Sequence, residues 1–365
     1  MYNIQKLNKI SPKIKEVFSS KYSLKDDCDN PDGILVRSFN MADYEIKENL
    51  VAIARAGAGV NNIPVEKMAQ EGIVVFNTPG ANANAVKELA ICALFLASRD
   101  IIGGNKWVNT LSENVAKTAE KGKSNFAGYE IMGKTLGVIG LGAIGGAVAN
   151  SALALGMKVI GYDPCLSDAL KAKLNSEVKI TDLATVIKES DYITLHVPLL
   201  DSTKNMINET VINEMKDGVV IINMARGALV NVDNLKDGIN KGKIAKYVVD
   251  FPEESVLNTE NVIVIPHLGA STEEAEDNCA IMASKSLVEY LENGNIINSV
   301  NYPNLIKERI DGKVRTCILF NANDVEKIET LVGDKKVAVR KEYGYAIIDS
   351  DNYVKVDNVI KVRNI

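Results

Sequence analysis

The sequence has little of several features that mark particular protein classes. Histidine occurs only twice among 365 residues, and the five cysteines are scattered without a CxxC pair for zinc or redox chemistry. We therefore expect reduced structural thiols and no metal. No dense run of lysine and arginine could neutralise a phosphate backbone, so no nucleic-acid partner is expected. The longest apolar run, LAICALFLA at 89–97, is too short to span a bilayer, and the N-terminus has no secretory apolar segment, so we expect a cytoplasmic protein without a membrane partner.

What is present is a regular alternation of short β-branched runs with longer helical patterns. This alternation predicts βαβ units and parallel sheets. An alanine-rich helix over 83–98 joins two series of strands, and a long helix follows Thr272. The first series is expected at 33–39, 50–57 and 72–79. The second is expected at 135–142, 157–164, 178–180, 191–198, 218–227, 243–251 and 261–267.

The most specific local motif is GLGAIG, which lies between the strand TLGVI and a helical pattern. Its first glycine permits a tight turn, its second lets a pyrophosphate approach the backbone, and its third lets the helix pack on the strand. The free N–H groups at the start of the helix would bind the phosphates. The motif predicts a dinucleotide site, although Gly-rich turns also occur without a ligand. The residues concerned are Gly140, Gly142, Ala143, Ile144 and Gly145.

Asp163 strengthens the nucleotide interpretation. It follows the next strand, 18 residues after Gly145, at the position that accepts hydrogen bonds from an adenosine ribose. A carboxylate there would repel a 2′-phosphate, so NAD is expected rather than NADP. The alternative is a helix-capping or solvated aspartate.

Candidate catalytic side chains follow three strands of the second series, at the edge where open α/β sheets bind ligands. Arg226 closes VVIINMAR, Glu253 and Glu254 follow YVVDF, and His267 closes VIVIP. Hydride transfer from an alcohol needs a base, which suits a histidine with a pKa of about 6.5, and a glutamate nearby would raise that pKa. Arginine binds a carboxylate through two parallel hydrogen bonds. Each residue alone could be structural or solvated, but together they indicate a dehydrogenase.

The set GLGAIG, HVPLLDSTKNMI, INMARGALV and PHLGAST resembles the D-2-hydroxyacid dehydrogenase family. The segments ARAGAGVNNI and FNTPGANANAVKELA resemble its phosphoglycerate dehydrogenase branch, and the resemblance covers about residues 30–303. It implies that Arg226 polarises the substrate, His267 accepts the hydroxyl proton and a glutamate supports the imidazolium. The family's usual Asp-Val-Phe-x-x-Glu-Pro is replaced here by DFPEES, which is one residue shorter and lacks the proline. Glu254 is the preferred partner of His267, with Glu253 as the alternative.

The resemblance also implies a substrate, D-3-phosphoglycerate, which NAD would oxidise to 3-phosphohydroxypyruvate at the head of serine biosynthesis. Arg37 and Arg55 match arginine positions of the phosphoglycerate dehydrogenase branch, and Arg37 is the stronger candidate for the phosphate. Alternatively, both pair with acidic neighbours such as Asp43 or Glu48. Backbone amides of the AGAG turn would bind the carboxylate. The other substrate-side residues implied are Ala58, Gly59 and Asn82.

Two other functions stay open at this stage. One is a different D-2-hydroxyacid dehydrogenase, such as a glyoxylate/hydroxypyruvate or 2-oxoglutarate reductase, whose unphosphorylated substrate would be indifferent to loss of Arg37. The other is a non-catalytic NAD(H)-sensing binding protein, which the presence of both Arg226 and His267 argues against.

On the cofactor side, the resemblance implies contacts from the loops after several strands. The second histidine, His196 in LHVP, is expected to shape the cofactor pocket rather than to transfer a proton. The other implied cofactor residues are Val197, Pro198, Thr203, Ala225, Asp250 and Gly269.

The resemblance implies three domains. They are a flavodoxin-like substrate domain at 1–98, completed by 284–305, a Rossmann-type NAD domain at 99–283, and an ACT-like α+β unit at 306–365. ACT domains are βαββαβ, but here about nine residues separate the last two strands, too few for a second helix. The loop NANDVEK also lacks the usual ligand-side glycine, which argues against serine binding, so we expect an abbreviated unit with either a regulatory or an assembly role. A homodimer or higher homo-oligomer is expected through the NAD domain, with 101–118 as an arm.

Overall fold

A computed structural model describes residues 1–365, and the elements below are numbered in chain order. The strands are β1 (Tyr2–Leu7), β2 (Tyr22–Lys25), β3 (Gly33–Val36), β4 (Ala52–Arg55), β5 (Val74–Phe76), β6 (Thr135–Ile139), β7 (Lys158–Tyr162), β8 (Lys179–Ile180), β9 (Tyr192–Leu195), β10 (Val219–Asn223), β11 (Ile244–Val249), β12 (Val262–Val264), β13 (Val314–Asn321), β14 (Asp334–Arg340), β15 (Tyr343–Ser350) and β16 (Lys361–Asn364). The α-helices are α1 (Val65–Gln70), α2 (Ala83–Ser98), α3 (Ile101–Val108), α4 (Val115–Gly122), α5 (Ala143–Ala154), α6 (Asp168–Lys171), α7 (Leu183–Glu189), α8 (Glu209–Glu214), α9 (Val232–Asn240), α10 (Glu273–Asn293) and α11 (Val325–Glu329).

The chain divides into two compact units. The first unit is Met1–Asn82 with Glu273–Ile365, and the second unit is Ala83–Thr272. None of the helices combines the length and apolar character that a membrane span requires.

The first unit contains a parallel five-stranded sheet in the order β2-β1-β3-β4-β5. This is the 2-1-3-4-5 order of flavodoxin-like folds, so the expected topology is confirmed. The sequence analysis did not predict β1 and β2. In β1 the polar Asn3 and Gln5 interrupt the apolar pattern, and Gln5 is buried because the Tyr44 hydroxyl donates to its side-chain oxygen at 2.7 Å.

The second unit contains a parallel seven-stranded sheet in the order β12-β11-β10-β9-β6-β7-β8. Read from β8, this is the doubly wound order 3-2-1-4-5-6 with one further strand, and the order reverses between β6 and β9. All seven expected strands are present, and the Rossmann-type prediction is confirmed. Ligands of such sheets bind beyond the carboxyl ends of the strands at this reversal.

The C-terminal segment forms an antiparallel four-stranded sheet in the order β14-β15-β13-β16. Its single α-helix, α11, lies between β13 and β14, and no helix lies between β15 and β16, so the abbreviated α+β unit is confirmed. One face packs under α11 through Ile318, Phe320 and Ile348. The other face, including Leu319 and Tyr345, packs into the core of the first unit.

The division into units differs from the expected boundaries at 98 and 283. Helix α2 packs against the seven-stranded sheet, because Val86, Ala90 and Leu94 share a core with its strands. Helix α10 belongs to the first unit, where Ala283 and Leu287 are buried. The residues from 306 onward, expected as a third domain, pack as part of the first unit.

Candidate active site

The three glycines of GLGAIG have three different surroundings. Gly140 has a φ of +94°, and a Cβ there would lie 2.7 Å from the carbonyl oxygen of His196. A Cβ on Gly145 would collide with the Gly140 carbonyl oxygen, so the third glycine is required by close packing. Gly142, in contrast, has nothing within 4 Å of its Cβ position. The second glycine therefore leaves an open approach to the backbone, as a bound pyrophosphate needs.

Helix α5 begins immediately after this open position. Its first residue is Ala143, and Gly142 at the N-cap supplies no side-chain hydrogen bond. The first N–H groups of a helix have no intrahelical acceptor, and the positive end of the helix dipole attracts anions. The N–H groups of Ala143, Ile144 and Gly145 thus fit a dinucleotide phosphate.

Asp163 fastens the glycine turn to the end of β7. One carboxylate oxygen accepts from the Leu141 N–H at 2.9 Å, and the other accepts from the Cys165 N–H at 2.8 Å. Each oxygen keeps a further lone pair, so the carboxylate can still accept from a ribose hydroxyl. The structure therefore gives Asp163 a defined position beside the nucleotide turn.

His196 lies at the end of β9, against the same turn. Its Nε2 is 2.9 Å from the Thr194 hydroxyl, and burial lowers the pKa of His196 to about 4. The imidazole is therefore neutral at pH 7, which fits a pocket-shaping residue. The loop that follows is held by Thr203, whose hydroxyl donates to the Pro198 carbonyl at 2.7 Å and accepts from the Leu200 N–H at 2.8 Å.

A buried amide, Asn223, fixes the loop that carries Arg226. Its side-chain oxygen accepts from the N–H groups of Ala225 and Arg226 at 3.1 and 3.2 Å, and its amide nitrogen donates to the Arg226 carbonyl at 2.8 Å. Sequence reasoning missed Asn223. The sequence signal that could have found it is a polar residue at the end of an apolar strand. Asn223 is fully buried there, and a buried amide must find hydrogen-bond partners.

Asp250 fixes the loop that carries His267. Its carboxylate is 1% exposed and accepts from the N–H groups of Leu268 and Gly269, both at 2.7 Å. Burial raises the pKa of Asp250, while these two N–H groups act in the opposite direction. His267 itself has a φ of +54°, a left-handed conformation that is uncommon outside glycine and asparagine and typical of strained functional sites.

The ring of Phe251 contacts both catalytic candidates of the second unit. The Arg226 guanidinium lies over it at 5.8 Å from the ring centroid, and the His267 ring lies 4.8 Å away at an interplanar angle of 49°. The structure therefore brings Arg226 and His267 together on one aromatic side chain. Sequence reasoning considered only the glutamates of this segment and missed Phe251.

The two glutamates that follow Phe251 are placed differently. A Cβ on Gly227 would lie 2.5 Å from the Glu253 Oε1, so this carboxylate lies beside the residue that follows Arg226. The pKa of Tyr247, raised mainly by its burial, is raised further by the Glu253 charge. Both glutamates are exposed to solvent.

The substrate-side candidates lie in the first unit, around the AGAG turn. The Arg55 guanidinium occupies the position that a Cβ on Gly57 would take, and its Nε donates to the Asn62 side-chain oxygen at 3.0 Å. Asn77 donates to the Ala58 carbonyl at 2.7 Å, and its neighbour Thr78 donates its backbone N–H to Gly57. The turn is thus braced by two asparagines that sequence reasoning missed. Gly59 follows within the turn, and Asn82 directly precedes α2.

Arg37 is ion-paired, but with neither of the acidic neighbours considered. Its guanidinium lies 2.7 Å from a carboxylate oxygen of Glu276, in the first turn of α10. Asn62 also connects this region to the turn, because its amide donates to the Phe39 carbonyl at 2.7 Å. Arg37 and Arg55 are therefore tied to one local framework.

Residues 91–269 match the family model described as D-isomer specific 2-hydroxyacid dehydrogenase, NAD binding domain. A hydroxypyruvate reductase from Thermotoga maritima is 42% identical over 257 residues, covering 67% of this chain and 80% of that protein. A D-3-phosphoglycerate dehydrogenase from Methanocaldococcus jannaschii is 35% identical over 82% of this chain, and one from Archaeoglobus fulgidus is 36% identical over 75%. The chain spans only 57% and 52% of the lengths of those two proteins.

Solved structures give the same result for the fold. A glyoxylate reductase from Paecilomyes thermophila superposes with a TM-score of 0.68 at 26% identity, covering 82% of this chain and 98% of that one. A D-2-hydroxyisocaproate dehydrogenase superposes with a TM-score of 0.67 at 24% identity, covering 82% of this chain and all of the other. The expected family, NAD cofactor and enzyme class are confirmed. The glycine turn, the NAD-domain match and the relative that is 42% identical lead to one assignment: the chain belongs to the D-isomer specific 2-hydroxyacid dehydrogenases, NAD-dependent oxidoreductases that act on CH–OH groups.

Proposed function

We propose that this dehydrogenase oxidises D-3-phosphoglycerate to 3-phosphohydroxypyruvate, the first step of serine biosynthesis. The observation that carries the proposal is the pair Arg37 and Arg55, held in one framework through Asn62. Two guanidinium groups suit a substrate that carries a phosphate besides its carboxylate. The match to phosphoglycerate dehydrogenases over most of this chain supports the same substrate.

In the proposed reaction, Arg226 binds the substrate carboxylate and polarises the oxygen on C2. His267 accepts the proton of the C2 hydroxyl, and NAD held at the glycine turn would supply the acceptor for the C2 hydride. Phe251 keeps the guanidinium and the imidazole in position through its contacts with both. The products are the 2-keto acid, NADH and one proton on His267.

The partner of His267 is proposed to be one of the two adjacent glutamates. Glu254 matches the family spacing after Phe251, whereas Glu253 lies beside Gly227 in the structure. A carboxylate beside His267 would stabilise the imidazolium that forms when the proton is accepted, so replacing the true partner with glutamine should lower kcat. Comparing Glu253→Gln with Glu254→Gln identifies it, because the other variant should keep the wild-type kcat.

The test of the function is NADH formation by the purified protein. D-3-phosphoglycerate should be compared with D-glycerate, D-lactate and D-2-hydroxyglutarate, with His267→Ala as the catalytic control. We expect the phosphorylated acid to be preferred and its turnover to fall roughly 100- to 10,000-fold in the variant, the usual contribution of general acid–base catalysis. Preference for an unphosphorylated acid would refute the proposal.

A second candidate is a reductase of hydroxypyruvate or a similar unphosphorylated acid. The observation that favours it is the pairing of Arg37 with Glu276, which neutralises the residue that a phosphate needs. The 42% identical hydroxypyruvate reductase of Thermotoga maritima supports the same reading. In that case Arg37→Gln should leave turnover of the unphosphorylated acid unchanged, whereas loss of turnover of D-3-phosphoglycerate in this variant supports the first candidate.

We also propose a cytoplasmic homodimer or higher homo-oligomer that assembles through the second unit. The arm at 101–118 exposes apolar side chains, including Ile101 and Val115, as an association surface would. Trp107 packs on Phe126 with ring centroids 5.2 Å apart, which links this segment to the residues that follow it. Ile101→Glu should convert the assembly to monomers in sedimentation analysis, while an unchanged mass would place the interface elsewhere.

A further inference from the structure

The ion pair between Arg37 and Glu276 joins a candidate substrate residue to an acid far along the chain. Arg37 follows β3, and Glu276 lies in the first turn of α10, where the helix dipole favours acidic residues. The two charged groups are 2.7 Å apart, and their side chains are 37% and 40% exposed. The pair is therefore accessible from solvent and held loosely enough to open.

Cys279, one turn further along α10, shows which charges gather at this place. Burial raises the pKa of the Cys279 thiol, Arg55 and Arg37 act to lower it, and Glu276 acts to raise it. The charges of two guanidinium groups and one carboxylate thus all act on a single buried thiol. A phosphate bound by these arginines, with a charge of about −1.5 to −2, would lie close to the Glu276 carboxylate.

We infer that Glu276 is a specificity-determining residue, which occupies the guanidinium that a phosphorylated substrate needs and thereby weakens the preference for phosphorylated over unphosphorylated 2-hydroxy acids. The inference rests on the proposed function in assigning Arg37 to the phosphate. A phosphate must displace the carboxylate from Arg37 and is then repelled by it. An unphosphorylated acid places no charge there and is unaffected.

D-3-phosphoglycerate and D-glycerate are the matched pair of substrates for this question. They share the carboxylate and the reacting hydroxyl, and they differ only in the phosphate. The ratio of their kcat/KM values therefore isolates how strongly the protein binds the phosphate in the transition state. A merely structural defect would change both values together and leave the ratio as it was.

The variant to compare is Glu276→Gln, whose amide oxygen can still accept from Arg37 while the negative charge is gone. Glu274→Gln is the matched control, because Glu274 is an exposed glutamate in the same first turn. In Glu276→Gln we expect the ratio to rise about tenfold, through a lower KM for D-3-phosphoglycerate, as removal of one repelling charge near the protein surface predicts. D-glycerate kinetics and the ratio in Glu274→Gln should stay as in the wild type.

The outcome separates this inference from the proposed function. A wild-type enzyme that prefers D-glycerate would refute the phosphoglycerate assignment, yet a higher ratio in Glu276→Gln would still support the role of Glu276. An unchanged ratio, or equal changes for both acids, would overturn that role. Calorimetric titration with each acid gives a second readout, which works even if turnover is too slow to measure. The inference requires that Glu276→Gln bind D-3-phosphoglycerate more tightly than the wild type does, with D-glycerate binding unchanged.

Discussion

Replacing Asp349 with asparagine is expected to loosen the C-terminal four-stranded sheet without disturbing the NAD-binding unit. Asp349 lies in β15 and is 2% exposed, while Arg315 in β13 is fully buried. The two carboxylate oxygens of Asp349 accept from the Arg315 Nε and Nη2 at 2.7 and 2.8 Å, and Lys307 donates to the second oxygen at 2.5 Å. The carboxylate thus neutralises two cations that have little access to water.

The size of the effect depends on which partners Arg315 and Lys307 keep when the carboxylate is removed. Removing one partner of a buried ion pair costs about 3–5 kcal/mol because an uncompensated charge remains. Lys307 retains Asp334 at 2.8 Å, and Arg315 retains the backbone carbonyls of Asn293, Lys307 and Glu308. We therefore expect the free energy of opening the sheet to fall by about 3 kcal/mol, the lower end of this range. This corresponds to a roughly 150-fold larger population of the opened sheet.

Hydrogen exchange followed by mass spectrometry measures this opening directly. Peptides from β13 and β15 should exchange roughly 150-fold faster in Asp349→Asn, whereas peptides from β6 and β9 should match the wild type. Asp351→Asn is the matched control, because Asp351 pairs with Lys313 at the surface, where such pairs contribute little. Wild-type protection of β13 and β15 in Asp349→Asn would refute the reasoning.

The stabilisation by Asp349 also has a defined pH dependence. Burial acts to raise the pKa of Asp349, but the hydrogen bonds from Arg315 and Lys307 outweigh it, so the pKa is lowered in the folded state. The contribution is therefore complete above the unfolded pKa, about 3.9, and is lost as the pH falls through the folded value. The difference in melting temperature between wild type and Asp349→Asn should shrink as the pH is lowered below about 4.

Three further predictions concern the second unit. Gly142→Ala should fold normally yet weaken NADH binding in a fluorescence titration. Gly145→Ala should also lower the melting temperature, because the new Cβ at position 145, unlike that at position 142, meets a backbone oxygen. Asp250→Asn should lower kcat roughly 10- to 150-fold, since one charge-assisted hydrogen bond to the His267 loop, about 1.5–3 kcal/mol, is lost; an unchanged kcat would contradict this positioning role. Phe251→Leu should lower kcat about threefold or more through loss of the cation–π contact while NADH affinity stays constant, and a weakened affinity instead would show a different role.

The sequence predicts the second unit well because its signals are local. The glycine turn, the strand periods and the residues that end each strand are all encoded within short segments. The candidates Arg226 and His267 were chosen from their strand-end positions together with the chemistry of their side chains. The strand β1 was missed for the opposite reason. Its Gln5 is acceptable in the core because its side chain finds two partners distant in sequence: the Tyr44 hydroxyl, which donates to it, and the Asp26 carbonyl, which accepts from it.

The partner of Arg37 shows the same limit at the candidate site. The acidic neighbours Asp43 and Glu48 were natural choices from the sequence, but the partner is Glu276. Helix α10 packs against the five-stranded sheet, and this packing brings the start of the helix to the end of β3. Such a pairing depends on tertiary structure that no local pattern records.

Asp163 and Asp250, which the sequence indicates as cofactor residues, share one physical task with Asn223, which sequence reasoning missed. Asp163, Asn223 and Asp250 each lie at or just beyond a strand end and accept backbone N–H groups from the loop that carries function. Backbone groups would otherwise be unpaired in these loops, and the bonds also resist relaxation of His267 from its left-handed conformation. The backbone of both loops is therefore held independently of the Arg226 and His267 side chains. Those side chains can then serve the substrate in the proposed reaction, as a site preorganised for hydride and proton transfer requires.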